Sequence, residues 1–180
     1  MKALILYDSF FGNTEKVAQA MAGVLAAKAE VRLQKVAIVK DAQPVAETKL
    51  VSAVKVQVES INPDVLEGVD LLLVGSPTRA FTYSPATRDF LRKIPSGGLN
   101  GVKAAAFDTR MDVVKVNNKF LSFMVKIFGY AAESLSKALA KKGAQIISES
   151  GRFFVEGSEG PLSTGELERV EAWVKALPLG

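Results

Sequence analysis

The sequence predicts an α/β fold: a three-layer, doubly wound sheet of mostly parallel strands. Three observations predict it. Lys2–Tyr7 is an apolar run of strand length, followed by a turn-rich stretch and then by apolar residues at helical spacing (Val17, Ala18, Met21, Val24, Leu25). Residues 69–74 and 102–107 are apolar runs between polar segments, each broken only near its start by Asp70 or Lys103, the pattern of strands covered on both faces. Such runs alternate with helical stretches along the chain, which favours parallel strands joined by right-handed crossovers.

The elements follow in order. After the first strand and helix, residues 31–39 read as a second strand. Val54, Val56 and Val58 then alternate with Lys55, Gln57 and Glu59, a half-buried strand signature. These two segments compete for one structural role, and both are expected as strands if the second pairs at an edge or forms a hairpin. Asn62-Pro63-Asp64 opens a short helical turn before the buried run at 69–74. Ser84-Pro85 supplies an N-cap and first helical residue for a helix through Ile94. Beyond the run at 102–107, helical periodicity covers residues 115–142, with a break expected at Gly129. A last strand begins at 144–147 and resumes at 152–155. Ser163 with Glu166 forms a capping-box pattern for a final helix through Leu177. No internal linker is visible, so residues 1–180 are expected to form a single domain.

Composition removes many chemistries. The chain has no cysteine and no histidine. Disulfides, thiolate or imidazole metal sites, Cys-ligated clusters and catalysis by Cys or His are therefore excluded. A net charge of +4 is too small to argue for nucleic acid, and no basic patch interleaved with aromatics is seen. The apolar stretch at 120–132 is interrupted by Lys126 and is too short for a span, so a cytoplasmic location is expected and a membrane is not. The apolar face of residues 120–135 is expected to cover the sheet, with a homodimer seam or an interfacial surface as the alternatives.

The chemistry concentrates in the loop after the first strand. Ligands of doubly wound sheets bind outside the carboxyl ends of the strands. There, Ser9 to Thr14 run straight into a helix whose first amides lack internal acceptors. Gly12 permits a tight turn, and Ser9, Asn13 and Thr14 add polar side chains, so a phosphate would be held without lysine. A plain hydrogen-bonded turn is the other reading of the same residues. The nucleotide pattern Gly-x-x-x-x-Gly-Lys and the dinucleotide pattern Gly-x-Gly-x-x-Gly are both absent from this loop.

The segment Ile5-Leu6-Tyr7-Asp8-Ser9-Phe10-Phe11-Gly12-Asn13-Thr14-Glu15-Lys16-Val17-Ala18 resembles the flavodoxin signature. Residues 71–79, ending Gly75-Ser76-Pro77-Thr78-Arg79, and 104–110, ending Asp108-Thr109-Arg110, resemble that family's two other cofactor loops. The resemblance spans nearly the whole chain and implies a flavodoxin-like fold that binds flavin mononucleotide (FMN). It assigns phosphate contacts to the side chains of Ser9, Asn13 and Thr14 and to the amides of Phe10, Phe11 and Gly12. Phe11 stands where many members carry a second hydroxyl. Pro77, Thr78, Arg79, Ala80, Phe81 and Tyr83 are expected to border the ribityl chain and ring, with Phe81 and Tyr83 stacking on or edging the ring. Asp108, Thr109 and Arg110 are expected on its pyrimidine side. The wording Ser76-Pro77-Thr78-Arg79 is also similar to the multimeric quinone reductases of this superfamily, whose Phe-Gly after the arginine is replaced here by Ala80-Phe81.

Arg79 and Arg110 bring positive charge into two of these loops, unless they face solvent or pair with Asp108, Asp112 or Glu149. The resemblance implies electron transfer to redox partner proteins. A reductase of a nicotinamide cofactor or a small-molecule quinone, working as an oligomer such as a homodimer, and a cofactor-free interaction module are the alternatives. Residues 35–60 and 113–140 depart from the family pattern.

Overall fold

The computed structural model describes residues 1–36, 49–51, 54–58, 62–112 and 130–179. Within them, β1 (Lys2–Tyr7), β2 (Glu30–Lys35), β5 (Leu71–Pro77) and β6 (Lys103–Met111) run parallel in the order β2-β1-β5-β6. Helices α1 (Asn13–Leu25), α2 (Pro85–Lys93), α3 (Ala131–Lys141) and α4 (Glu166–Lys175) cover the two faces.

Alternation along each strand builds two cores. Ala3, Ile5, Tyr7, Leu71, Leu73, Ala105 and Phe107 face α1 and α4 through Val17, Met21, Val170 and Val174. Leu4, Leu6, Leu72, Val74, Ala104 and Ala106 face α2 and α3 through Phe90, Leu91, Leu135 and Leu139. A strand buried on both sides is apolar toward both layers, which is why Leu71–Val74 carries no alternation. The three predicted layers are present.

Both competing segments are strands. β4 (Val54–Val58) pairs in parallel with β2, and β3 (Lys49–Val51) turns back antiparallel along it, so the edge option and the hairpin option are realised together. The interrupted final strand is also real. β7 (Gln145–Ile146) and β8 (Gly151–Val155) pair one after the other with the long β6, at Lys103–Ala104 and at Phe107–Met111. Ser84 caps α2, its hydroxyl accepting from Thr87 N at 3.2 Å, a contact worth about 1 kcal/mol.

Two expectations change. The second strand stops at Lys35, and residues 37–39 lie outside the described residues. The predicted capping box does not form: Gly165, at φ +82°, is the N-cap of α4, with no side-chain cap bond. Glu166 is instead buried, accepting from Phe154 N at 2.9 Å and from Arg169 at 2.6 and 2.7 Å. A carboxylate spent on a strand amide and a guanidinium cannot also reach back to Ser163. The break at Gly129 and the apolar face at 120–135 fall on residues 113–129, outside the described residues, except for the end of that face, where Ala131, Ala132 and Leu135 are buried residues of α3.

Candidate functional site

Because β1, β5, β6 and β8 are parallel, their carboxyl ends meet at one edge, and the segments that follow them enclose a cleft of about 250 Å³. Residues 9–14 follow β1, residues 77–81 end and follow β5, Thr109, Arg110 and Met111 end β6, and Val155, Gly157 and Ser158 leave β8. The chain departs from β1 toward β2 on one side and toward β5 on the other, so the cleft lies where the strand order reverses.

The α1 mouth is one end of the cleft. Gly12 is the N-cap at φ +79°, a left-handed conformation that a side chain would strain. With no side-chain cap bond from that residue, the first turn of α1 leaves amides directed outward at the positive end of the helix. Ser9 Oγ accepts from Glu15 N at 3.3 Å. The Thr14 hydroxyl, 1% exposed, shares a 2.8 Å hydrogen bond with the Thr109 hydroxyl, tying α1 to the end of β6. Asn13 donates its side-chain amide to the Glu159 carbonyl at 2.7 Å.

A second wall of the cleft is aromatic and strained. Arg79 N donates to Thr82 O and Thr82 N to Arg79 O, both at 3.0 Å, closing a two-residue turn. Its central residues, Ala80 and Phe81, have φ values of 46° and 64°. Such a turn favours Asn-Gly, because non-glycine residues pay a steric cost in this conformation. Strain here is consistent with a turn kept for what it presents: Phe81 lines the cleft. Ala80→Gly is expected to raise stability by about 0.5–1 kcal/mol, the relief exceeding the entropy gained by the unfolded chain; a higher urea midpoint checks this. Arg79 lies over the half-exposed rings of Phe10, at 4.7 Å, and Phe11, at 5.9 Å.

Arg110 is built in differently. Its guanidinium grips Asp108 through two 2.6 Å bonds, reaches Glu133 at 3.2 Å, and lies 3.6 Å from the centre of the Tyr130 ring. Asp108 also accepts from Thr78 Oγ1 at 2.8 Å and Ala132 N at 2.9 Å, while Thr78 Oγ1 accepts from Ala131 N at 3.1 Å. Thr78 and Asp108 thus supply the cap that α3 lacks at Tyr130. Burial pushes the Asp108 carboxyl up, against the pull of Arg110 and its hydrogen bonds. Burial raises the Tyr130 phenol too, with Arg110 opposing.

Of the residues singled out by sequence, Ser9, Phe10, Phe11, Asn13, Thr14, Pro77, Thr78, Arg79, Ala80, Phe81, Thr109 and Arg110 line the cleft. Gly12, Tyr83 and Asp108 do not. Gly12 shapes the turn from behind; Tyr83 packs on the core beneath α2 with Arg88 5.6 Å from its ring centre; Asp108 is 0% exposed beneath Arg110. Met111, Tyr130, Val155, Gly157 and Ser158 were not anticipated. The carboxyl-end rule that singled out the first loop applies equally after β8 and would have found Gly157 and Ser158.

Solved structures share this architecture. Flavodoxin 2 from Bacillus cereus superposes with a TM-score of 0.68 at 21% identity, covering 98% of this chain and 97% of its own. This is the flavodoxin fold. Flavodoxin 1 from Bacillus cereus matches with a TM-score of 0.63 at 19% identity over 97% and 95% of the two chains. The two-electron reduced flavodoxin of Megasphaera elsdenii matches with 0.59 at 21% over 97% and 99%. No protein-family model matches the sequence. No curated protein matches it either. Compared with the five-strand core of a flavodoxin-like sheet, β3 and β4 are added beyond β2, at the edge away from β6. No helix among the described residues is long and apolar enough to cross a membrane.

Proposed function

We propose that this flavodoxin-like chain binds FMN non-covalently and carries electrons between redox partners. One observation carries the reading: the α1 mouth, with the hydroxyls of Ser9, Thr14 and Thr109, opens onto the same cleft as the rings of Phe81 and Tyr130. That polarity matches a ligand with a dianionic phosphate at one end and a flat aromatic system at the other. Bound there, FMN supplies one- and two-electron chemistry of its own. The protein's residues bind, orient and shield it. The α1 amides and Thr14 hold phosphate, Phe81 and Tyr130 flank the ring, and the Asp108–Arg110 pair keeps Tyr130 in place. Half-exposed Phe10 and Phe11, under the Arg79 guanidinium, form the rim where an electron donor or acceptor approaches.

Titrating the purified protein into FMN and following fluorescence tests the reading; quenching with a stoichiometric end point is expected, and its absence leaves a cofactor-free module. Thr14→Ala is expected to weaken binding roughly 10- to 150-fold, the 1.5–3 kcal/mol of a hydrogen bond to a charged group, whereas Thr14→Ser retains it. Bleaching of the bound flavin by NADH or NADPH, with quinone turnover, would move the reading from carrier to reductase.

A further inference from the structure

Two arginines flank the strained turn at 79–82, and each is mounted on an aromatic surface. Arg79 lies over Phe10 and Phe11, and Arg88 stands 5.6 Å from the Tyr83 ring centre while its guanidinium donates to Thr82 Oγ1 at 3.5 Å. Both arginines are exposed. Among the described residues neither guanidinium forms an ion pair; Asp89, next in sequence to Arg88, pairs with Arg92 at 3.8 Å instead. The other arginine of the cleft, Arg110, is spent on Asp108 and Glu133. Phe10 and Phe11 are 50% and 48% exposed, and only Met1 and Leu167 join them as exposed large apolar side chains among the described residues. Phe10, Phe11 and Arg79 line the cleft, so this patch is part of its mouth.

Exposed rings beside unneutralised guanidinium groups have the composition of the centre of a protein interface, where aromatic residues and arginine are enriched. Stacking on a ring fixes a guanidinium and leaves its N–H edge free, and its weak hydration lowers the cost of pairing it with a carboxylate. We propose that Phe10, Phe11, Arg79 and Arg88 form a docking surface for a redox partner protein that presents carboxylates around an apolar patch. Resting on the carrier reading, in which electrons cross at this rim, the assignment adds the surface chemistry of the partner. The net charge of +4 favours the same partner at long range. Glu156 and Glu159 are exposed on the loop after β8, a different segment of the chain, so carboxylates are repelled there and the partner is oriented toward the 79–82 turn. Two rings are too small an apolar surface to hold a bilayer, which an interfacial helix engages with a whole face.

The probe is an acidic plant-type ferredoxin, titrated into the isotopically labelled protein with and without FMN and followed by amide NMR. A basic c-type cytochrome and vesicles of anionic phospholipid are titrated beside it. Saturable shifts centred on residues 10, 11 and 79–82 are expected with the ferredoxin, and affinity is expected to fall about tenfold or more from low to physiological salt. Arg79→Gln combined with Arg88→Gln is expected to weaken binding about tenfold. Lys28→Gln combined with Lys141→Gln makes the same change in net charge in exposed residues that precede β2 and β7, at the amino edge of the sheet, and is expected to weaken it less than about threefold. Phe11→Ala is expected to cost about fivefold while leaving the salt dependence unchanged. Thermal melts confirm that each variant folds. The inference is overturned if the ferredoxin shifts fall elsewhere, if the two double variants weaken binding equally, or if the cytochrome or the vesicles bind these residues in preference to the ferredoxin. Ferredoxin binding at these residues in a protein that does not take up FMN would leave a surface for acidic proteins and remove the carrier reading. Uptake of FMN without ferredoxin binding would leave the FMN reading and remove the surface.

Discussion

Gly75→Ala is expected to cost about 3 kcal/mol of stability or more, through overpacking of a site that cannot yield. Gly75 pairs with Phe107 across β5 and β6 and with Tyr7 across β5 and β1. The fully buried Phe107 ring lies over it: an added Cβ would stand 2.1, 2.2 and 2.7 Å from three ring carbons. The ring cannot swing away cheaply, because Ala105, Phe153 and the α1 residues fill the same core, and the strand cannot retreat because it is paired on both edges. The substitution also lies three residues before Thr78, so backbone displacement reaches the cleft. Urea unfolding measures the loss. Adding Phe107→Leu should recover part of it, making the double variant more stable than the sum of the two single costs predicts. A Gly75→Ala protein within about 0.5 kcal/mol of the wild type would mean that this ring is not packed as described.

The same glycine marks what a single sequence conveys. Strand identity was legible wherever burial on both faces forced unbroken apolar runs, as at Leu71–Val74, and the first cleft loop was legible because Gly12, Asn13 and Thr14 sit at a strand-to-helix junction. The three layers followed from those signals. That Gly75 is fixed by an aromatic 32 positions later was not legible, since only register brings the two together. Glu166 misled for a related reason: it satisfies a local capping pattern, but its buried carboxylate is taken by the Phe154 amide and Arg169. Tyr130 had no local signal at all. Its place on the cleft is set by Arg110, whose orientation depends on Asp108, and Asp108 also receives the α3 amide of Ala132. Ala80 and Phe81 are opposite to the usual chemistry of their turn, so their conformation was not predictable from propensity.

Asp108→Ala should be as damaging as the glycine substitution, by a different route. It is expected to lower stability by about 3–5 kcal/mol, because removing one member of a buried pair strands the other. Asp108 and Arg110 have side chains 0% and 3% exposed, so water does not replace the lost bonds. The Thr78 hydroxyl and the Ala132 amide lose their acceptor as well, which uncaps α3 beside the cleft. A loss of this size approaches the whole margin of a typical domain, about 5–15 kcal/mol. The outer arm of the network behaves otherwise. Glu133 is 35% exposed and shares its charge between Arg110 and Arg152, both at 3.2 Å, so Glu133→Gln should cost less than about 1 kcal/mol. Asp108→Ala combined with Arg110→Met removes both buried charges and should be more stable than Asp108→Ala alone, because the penalty lies in the stranded guanidinium and not in the missing attraction. Denaturant midpoints for the four proteins decide this. FMN titration of the double variant then separates folding from function: a folded protein with weakened flavin binding would show that the pair holds Tyr130 at the ring, and unchanged binding would confine the pair to capping α3.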